Sequence, residues 1–428
     1  MRAILEGIKV LDFTRVLSGP TATRYLLEMG AEVVKVEAPT SGDLTRNSVT
    51  QINGRSGYFA THNRGKRSIC VNLKDDRGIK LIRSITDDFD VIVENFTPGT
   101  MERLGLGWEE LSATNSKLIM CSISGFGQTG PLSDLPGYDG TAQAYAGVGS
   151  LNGELGGAPV PIGVPVGDVL TGTNATAGIL GALFMREKTQ RGQKIETSVL
   201  ESYLQAHDTA LQTWSVTRGE TIQTRNGRFH ALVCPYGIFT TENGYIFIAA
   251  AADNHWNDLC SAMDRADLLD PRHRWQDRFT REAERDLVNP LVELWSSNLS
   301  RDQALEMLQK HRVPSGPILS IDEVGNLPEL RASGAIEVVS DPVLGTLVVP
   351  AFPIHFSEAE TGHSFEAAFL GEHNEEILSN FIAKPDSLAS LTDSGVLFEE
   401  AIATRPSRQG VSSFATNKKD NHEATGDR

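Results

Sequence analysis

Cysteine is scarce in this 428-residue chain: Cys70, Cys121, Cys234 and Cys260 stand far apart and form no C-x-x-C pair. Such spacing builds neither a disulfide framework nor a thiolate zinc site, and no metal is expected. Basic residues are also in deficit, 39 against 55 acids, for a formal net charge of −16. A general nucleic-acid or anionic-membrane binder needs the opposite excess to neutralise phosphates, so neither partner is expected. Long apolar runs are missing too. The longest, residues 245–252, falls far short of the ~20 residues that span a bilayer. Glu6, Lys9 and Asp12 interrupt the apolar N-terminal residues and break any signal-peptide core. These absences imply a soluble protein of a reducing, cytoplasmic compartment. No segment repeats with a period of about 20–50 residues, and there is no G-x-x-x-x-G-K-[ST] phosphate loop.

What is present is ample apolar material, 40% of residues against 22% charged, enough for real cores over most of the chain. At roughly 150 residues per domain, the length predicts two or three domains. Short β-rich runs at 8–13, 32–37, 68–71, 90–93 and 117–123 alternate with helical spacing at 21–29 and 76–85. Strand–helix–strand units of this length imply parallel pairing, hence an open, doubly wound α/β domain. A long helix is predicted over 171–188, with the small face Gly172, Ala175, Gly178, Gly181 and Ala182. The expected division is a large domain over 1–200, a linker over 201–224 and a smaller α+β domain over 225–330. A return to the large domain follows over 331–385, with a strand at 350–356, and then a polar tail over 386–428. From about Thr404 that tail has almost no apolar residues, and disorder is expected there.

Several motifs carry possible chemistry. Gly125-Phe-Gly127-Gln-Thr-Gly130 matches G-x-G-x-x-G directly after a strand. Pro131 and Pro136-Gly137 follow, however, so no helix opens at the third glycine. No strand with a terminal acid arrives about twenty residues on. A turn-forming loop is the better reading, and no nicotinamide cofactor is expected. The first βα turn, Thr14 through Pro20, offers free N–H groups at a helix start; it is either an anion site or an ordinary loop. Residues 55–74 hold Arg55, Arg64, Lys66, Arg67 and Lys74 and no acid, with Arg103 near a second turn. That island is either a polyphosphate site or a solvated basic loop. Asp168, ahead of the small-faced helix, is either a helix cap or an ionised nucleophile for an activated acyl group. In the second case the neighbouring glycines would offer N–H groups to an oxyanion.

An ordered series then resembles a known family. It runs Leu11-Asp-Phe-Thr with Gly19-Pro20, Gly30-Ala-Glu-Val-Val-Lys-Val-Glu37, Asn63-Arg-Gly-Lys66-Arg67-Ser68, Val93-Glu-Asn95-Phe96 and Arg103-Leu-Gly. It continues with Gly137-Tyr138-Asp139, Gly167-Asp168, Thr189-Gln-Arg-Gly192-Gln193 and Leu370-Gly371-Glu372-His373. In order and spacing these residues resemble the class III CoA-transferases, a group that includes formyl-CoA, carnitine and dicarboxylate CoA-transferases and the related alpha-methylacyl-CoA racemases. The resemblance implies a Rossmann-like large domain, a smaller α+β domain, and an interlocked, ring-like homodimer. It implies coenzyme A or an acyl-CoA as substrate and Asp168 as the nucleophile. Acyl-aspartyl anhydride and aspartyl-CoA thioester intermediates would follow, with Tyr138 and Asp139 flanking the thioester. By the same carry-over Val16, Leu17, Ser18, Val71, Leu73, Lys74, Asn95, Phe96 and Arg103 would bind CoA.

Some positions depart from the pattern. Tyr138 stands where racemases carry a proton-shuttling histidine, which favours transfer over epimerisation. Ala38 replaces a phosphate-gripping arginine, for which Arg46 or Lys66 is the expected substitute. The glycine-rich covering loop of formyl-CoA transferase has no counterpart, which argues against oxalate and formate. Arg225, Arg228 and His230, clustered after the linker, are either a carboxylate clamp for a dicarboxylate such as succinate or a solvated turn. Alternatives to CoA transfer are a 2-methylacyl-CoA racemase and a non-catalytic CoA-binding protein.

Overall fold

The computed structural model describes residues 3–48, 50–362, 366–382 and 386–400. Its centre is a parallel sheet of β1 (Lys9–Asp12), β2 (Glu32–Glu37), β3 (Arg67–Cys70), β4 (Val91–Glu94), β5 (Ile119–Ser124) and β6 (Lys194–Ser198). In space they run β3-β2-β1-β4-β5-β6, so the winding direction reverses between β1 and β4. That strand order makes a crevice at the carboxyl ends of β1 and β4, where doubly wound sheets hold their ligands. Strands β2 and β4 in the middle of the sheet are rich in Val and Ile because both sheet faces are covered there. On one face Leu11, Val34, Ile69 and Ile92 meet Leu81, Ile82 and Ile85 of the helix α3 (Asp76–Ile85). On the other, Val10, Val33 and Ile119 lie under the helices α1 (Ser18–Glu28) and α5 (Val166–Thr189). Between α1 and α3 runs the short α2 (Gly57–Asn63), and before α5 the short α4 (Asp139–Tyr145).

The long helix begins at Val166, five residues earlier than its small-residue face suggests, and so includes Asp168 in its first turn. Gly172 explains its closeness to α1: a Cβ there would sit 2.7 Å from the Ser18 carbonyl oxygen and the Thr21 Cβ. Helix α6 (Val199–Gln205) follows β6 directly. The middle of the chain has its own core. Antiparallel strands β7 (Tyr236–Thr241), β8 (Gly244–Ala249) and β9 (Ser315–Pro317) pack with α7 (Asp253–Ala262), α8 (Arg285–Ser296) and α9 (Arg301–Lys310). Phe239, Ile246, Trp256, Val288 and Leu308 meet at its centre.

Two expectations fail at the return. The strand there is a hairpin, β10 (Ile336–Asp341) with β11 (Gly345–Pro350), and residues 351–356 are irregular. Pro353 offers no N–H to a ladder, and Phe352 alone anchors the segment, edge-on to Tyr25 at 5.3 Å. The polar tail also starts later than residue 386. Helix α10 (Leu388–Asp393), capped by Ser387, brings Leu391, Val396 and Leu397 into the large-domain core. A few apolar residues suffice where the flanking backbone is capped. The disorder expected from about Thr404 falls outside the described residues. Among the described residues no helix is long and apolar enough to cross a membrane.

The basic island belongs to this architecture. Arg55 pairs with Asp341 at 2.8 Å, Arg64 with Glu28 at 3.0 Å and with Glu337 at 2.5 Å, and Lys66 with Asp12 at 3.0 Å. Arg67 bridges Glu32 and Glu376, each at 2.8 Å. Of the five cations only Lys74 has no acidic partner among the described residues. Arg55, Arg64 and Arg67 fasten the returning segment to the first half of the chain, and Lys66 is spent inside it. Removing one member of a buried pair strands the other, at a cost of about 3–5 kcal/mol. Lys66→Met is therefore expected to lower the unfolding free energy by about that amount in urea titration, with Asp12→Asn added to it recovering part of the loss.

Candidate active site

The site is built on the turn between β1 and α1. Asp12, fully buried at the end of β1, accepts from the Thr14 N–H (2.8 Å), the Thr23 hydroxyl (2.8 Å) and the Lys66 ammonium (3.0 Å). Lys35 donates to the Thr14 carbonyl at 2.6 Å and pairs with Asp43 at 3.0 Å. Asp43 in turn accepts the Val16 N–H at 3.2 Å. Asn95 clamps the same turn from β4, taking the Arg15 N–H and donating to the Arg15 carbonyl, both at 2.8 Å. Held from three sides, Val16 adopts φ +67°, a left-handed conformation that a β-branched residue avoids unless its surroundings impose it.

Ser18 opens α1 directly after this turn, close enough to Asp168 for its hydroxyl to lower the pKa of that carboxyl. The cap of α5 is Pro165, so Asp168 is a first-turn residue and not the cap. Behind it stands Asp139, which accepts the Asp168 N–H at 2.9 Å and the Tyr203 hydroxyl at 2.8 Å. Gln143 donates to that hydroxyl at 3.2 Å. Gly167 is required because the Tyr203 ring occupies the place of a Cβ. The Asp168 N–H is spent on Asp139 and so is not available to an oxyanion. Burial first, and the Asp139 charge second, push the Asp168 carboxyl up to about 6, against the Ser18 hydrogen bond. One unit below neutrality still leaves it roughly 90% ionised at pH 7.

Asp168 opens into a cavity of about 340 Å³ formed by residues 15–18, 95–98 and 133–138. A second cavity, about 710 Å³, lies beside it between residues 38–41 and 71–74. Arg15, Phe96 and Thr97 border both. The residues singled out from sequence divide between them. Val16, Leu17, Ser18, Asn95, Phe96, Tyr138 and Asp168 line the first; Val71, Leu73, Lys74 and again Phe96 line the second. Tyr138 is 67% exposed, at the rim. Arg103 borders neither cavity, and its guanidinium donates to the hydroxyl of Thr100, which does line the second. Asn95 spends its amide on the Arg15 backbone. The G-x-G-x-x-G loop is a turn: Ser124 accepts the Gly127 N–H at 2.9 Å, and Gly125 packs on Gly137, setting Tyr138 at the cavity.

The three residues after the linker do not converge on this site. Arg225 donates to the carbonyls of Gly157 and Ser150, Arg228 pairs with Glu293 at 3.4 Å, and His230 packs on Tyr236. They line neither cavity, their groups being spent on neighbours in their own chain. Arg46 and Lys66 are likewise spent. Arg46 grips both oxygens of Glu37 at 2.7 Å and lies 3.7 Å over Phe59, and Lys66 is buried on Asp12. Neither is free to replace the arginine missing at Ala38.

Three participants are absent from the sequence reading. Tyr203 and Tyr58 come from distant segments with no local signal; the Tyr58 phenol is pushed up to about 12 by burial and by Asp168 and Asp43. Arg15 lay within the turn already singled out.

A half-buried carboxylate at the switch point of a doubly wound sheet, with a second cavity alongside, is an arrangement suited to a transferase whose substrate has an extended handle. Comparison with known proteins makes this particular: residues 5–374 match the model of CoA-transferase family III, and the chain belongs to that family. It is 33% identical over 395 residues to succinyl-CoA:glutarate CoA-transferase of Homo sapiens, covering 92% of this chain and 90% of that protein. It is 35% identical over 384 residues to succinyl-CoA:mesaconate CoA-transferase of Haloarcula marismortui, covering 87% of this chain and 95% of the other. Among solved structures, a CAIB/BAIF family protein from Brucella suis superposes with a TM-score of 0.78 at 31% identity, over 89% of this chain and all of that one.

The raised Asp168 pKa has consequences of definite sign. As an ionised nucleophile it should give kcat/KM an acid limb near pH 6. Asp139→Asn removes one of the two causes and should move that limb to lower pH; an unmoved limb contradicts the electrostatic role of Asp139. Stability runs the other way. The proton that the folded state favours stabilises fully below the unfolded value near 4, and this contribution is lost as pH rises through about 6. Asp168→Asn should therefore raise the melting temperature at about pH 7.5, by at most about 3 kcal/mol in free energy, with the gain vanishing by about pH 4.

Proposed function

We propose that the protein moves CoA between an acyl-CoA and a carboxylic acid, with Asp168 as the covalent relay. The observation that supports this most is Asp168 itself: ionised, oriented by Ser18, and facing a cavity whose wall continues into the larger one. CoA is taken to lie with its nucleotide in the larger cavity, near Lys74, and its pantetheine arm past Phe96 toward Asp168. Asp168 attacks the thioester carbonyl and expels CoA thiolate, leaving an acyl-aspartyl anhydride. The thiolate attacks the aspartyl carbonyl, releasing the donor acid and forming an aspartyl-CoA thioester. The acceptor carboxylate attacks that carbonyl, gives a second anhydride and frees the thiolate. The thiolate then attacks the acceptor acyl carbonyl, and Asp168 is regenerated. Thioester energy is conserved through exchange of one carbonyl substituent for another, which splits a difficult step into easier ones.

A dicarboxylic acid on at least one side is the substrate class we favour, since relatives over nearly the whole chain are named for succinyl-CoA with glutarate or mesaconate. Racemisation is the weaker reading, because no histidine lines the Asp168 cavity to act as a second proton carrier. We also propose that the working unit is an interlocked homodimer. Phe184 and Met185 on α5, with Trp214, Val216 and Ile222 beyond α6, are half or more exposed, a density of bare apolar side chains that suits a large interface.

The test is mass spectrometry of the protein after incubation with succinyl-CoA and neutral hydroxylamine. A hydroxamate on Asp168, absent in Asp168→Asn together with all CoA transfer, is the expected result. Full transfer activity in Asp168→Asn would remove the proposal. In light scattering the species should be twice the chain mass.

A further inference from the structure

We propose that Arg15 selects the acyl group: its guanidinium receives the distal carboxylate of a dicarboxylic acyl chain whose other end is carried by Asp168. This rests on the acyl-transfer reading above and adds to it the residue that tells a diacid from a monoacid.

Charge makes the case first. Asp168 faces the cavity and Asp139 stands directly behind it, so the acyl end of the site is negative. A diacid brings two carboxylates there. One is consumed chemically at Asp168, but the other stays charged, and burying it unmatched in a partly dehydrated cavity is strongly unfavourable. Arg15 is the only cationic side chain among the cavity's lining residues.

Availability makes the case second. Arg46, Arg55, Arg64, Lys66 and Arg67 are all matched to acids of the fold. The Arg15 guanidinium has no acid or side-chain hydrogen-bond partner among the described residues; its one contact is the face of the Phe96 ring, 4.9 Å from the ring centre. Its donors, spent on no side chain of the described residues, form the planar fork that fits a carboxylate.

Reach and rigidity complete it. Arg15 and Asp168 line the same cavity of about 340 Å³, and a four- or five-carbon diacid separates its carboxyl carbons by about 4–5 Å. The Arg15 backbone is clamped at both N–H and carbonyl by Asn95, and the next residue is held left-handed by Asp43. The orientation of the anchor is therefore fixed before substrate arrives, which is how a site gains selectivity without further ordering cost.

The experiment compares acceptors that differ only in the distal charge. With one acyl-CoA donor held constant, kcat/KM is measured for glutarate and for its monomethyl ester, in wild type, Arg15→Gln and Arg15→Lys. Wild type should prefer glutarate, Arg15→Gln should lower that preference at least tenfold, and Arg15→Lys should keep an intermediate preference. Equal loss for both acceptors, with KM raised for every acyl-CoA donor but not for acyl-pantetheine, would instead make Arg15 a holder of the CoA phosphates and overturn the proposal. So would an unchanged preference in Arg15→Gln. If that variant does not fold, the wild-type pair still decides, since a wild type indifferent to methylation of the distal carboxylate has no such anchor. A wild type that transfers CoA to no acid at all would count against the function proposed above, not against Arg15.

Discussion

Two buried ion pairs at the carboxyl ends of the first strands, Asp12 with Lys66 and Lys35 with Asp43, hold the site in its shape. Burial by itself would raise the Asp12 pKa, yet Lys66, Lys35 and the Thr14 and Thr23 hydroxyls overcome it and keep the carboxylate charged. Such pairs contribute little net stability compared with apolar packing of similar volume, because desolvation offsets attraction. Their effect here is directional. Asp12 fixes Thr14 by both its N–H and its hydroxyl, Lys35 fixes the Thr14 carbonyl, and Asp43 fixes the Val16 N–H. A greasy replacement could fill the volume but could not hold a valine at positive φ. The strained turn, and with it the placement of Ser18 against Asp168, depends on these charges.

The proposed nucleophile is tuned by a related economy. Asp139 engages both its oxygens, one on the Asp168 backbone and one on Tyr203, so it orients the start of α5 and remains a fixed negative charge beside the reacting carboxylate. That charge raises the basicity of Asp168, and a more basic carboxylate is a better nucleophile. The nearby Ser18 hydroxyl opposes that shift. A serine and an aspartate pulling in opposite directions on one carboxyl suit the proposed role, in which Asp168 must be both charged and reactive. An ionised carboxylate needs no general base, and the described residues lining its cavity include no histidine.

The fold was legible in sequence where local pattern decides it. Helix α3 and strand β2 appear with the bounds that spacing alone predicts, because capping by Asp75 and a run of β-branched residues leave little to tertiary context. The long helix misled at its start: its small face begins at Gly172, where α1 crosses, but the helix itself begins where Pro165 caps it. The basic island misled more fully. A run of cations without local acids looks solvated or ligand-binding, and here its partners are Asp341, Glu337 and Glu376, nearly three hundred residues away. No window along the chain can show that. At the site, the turn at 14–20 and Asp168 were readable because a strand end, a helix start and glycines announce them. Tyr203 and Tyr58 were not, since only the folded chain brings them near Asp168. Arg225, Arg228 and His230 are neighbours in sequence, left open as a clamp or a turn, and in the fold each finds its own partner.

This division of charges bears on how substrate choice can vary on a constant scaffold. Most cations of the large domain are locked into pairs that the fold requires, so changing them would disturb the turn before it altered specificity. Two that have no acidic partner among the described residues and do border the cavities, Arg15 at their junction and Lys74 in the larger, are free to answer to a ligand without stranding an internal acid. An arginine stacked on Phe96 and carried on an immobilised backbone can be exchanged at little cost to stability, whereas the same exchange at Arg55 or Arg64 would leave a buried carboxylate alone. Selectivity for one acid over another is therefore most readily set at positions outside the ionic framework, and the framework in turn is what makes a single unpaired guanidinium rigid enough to discriminate.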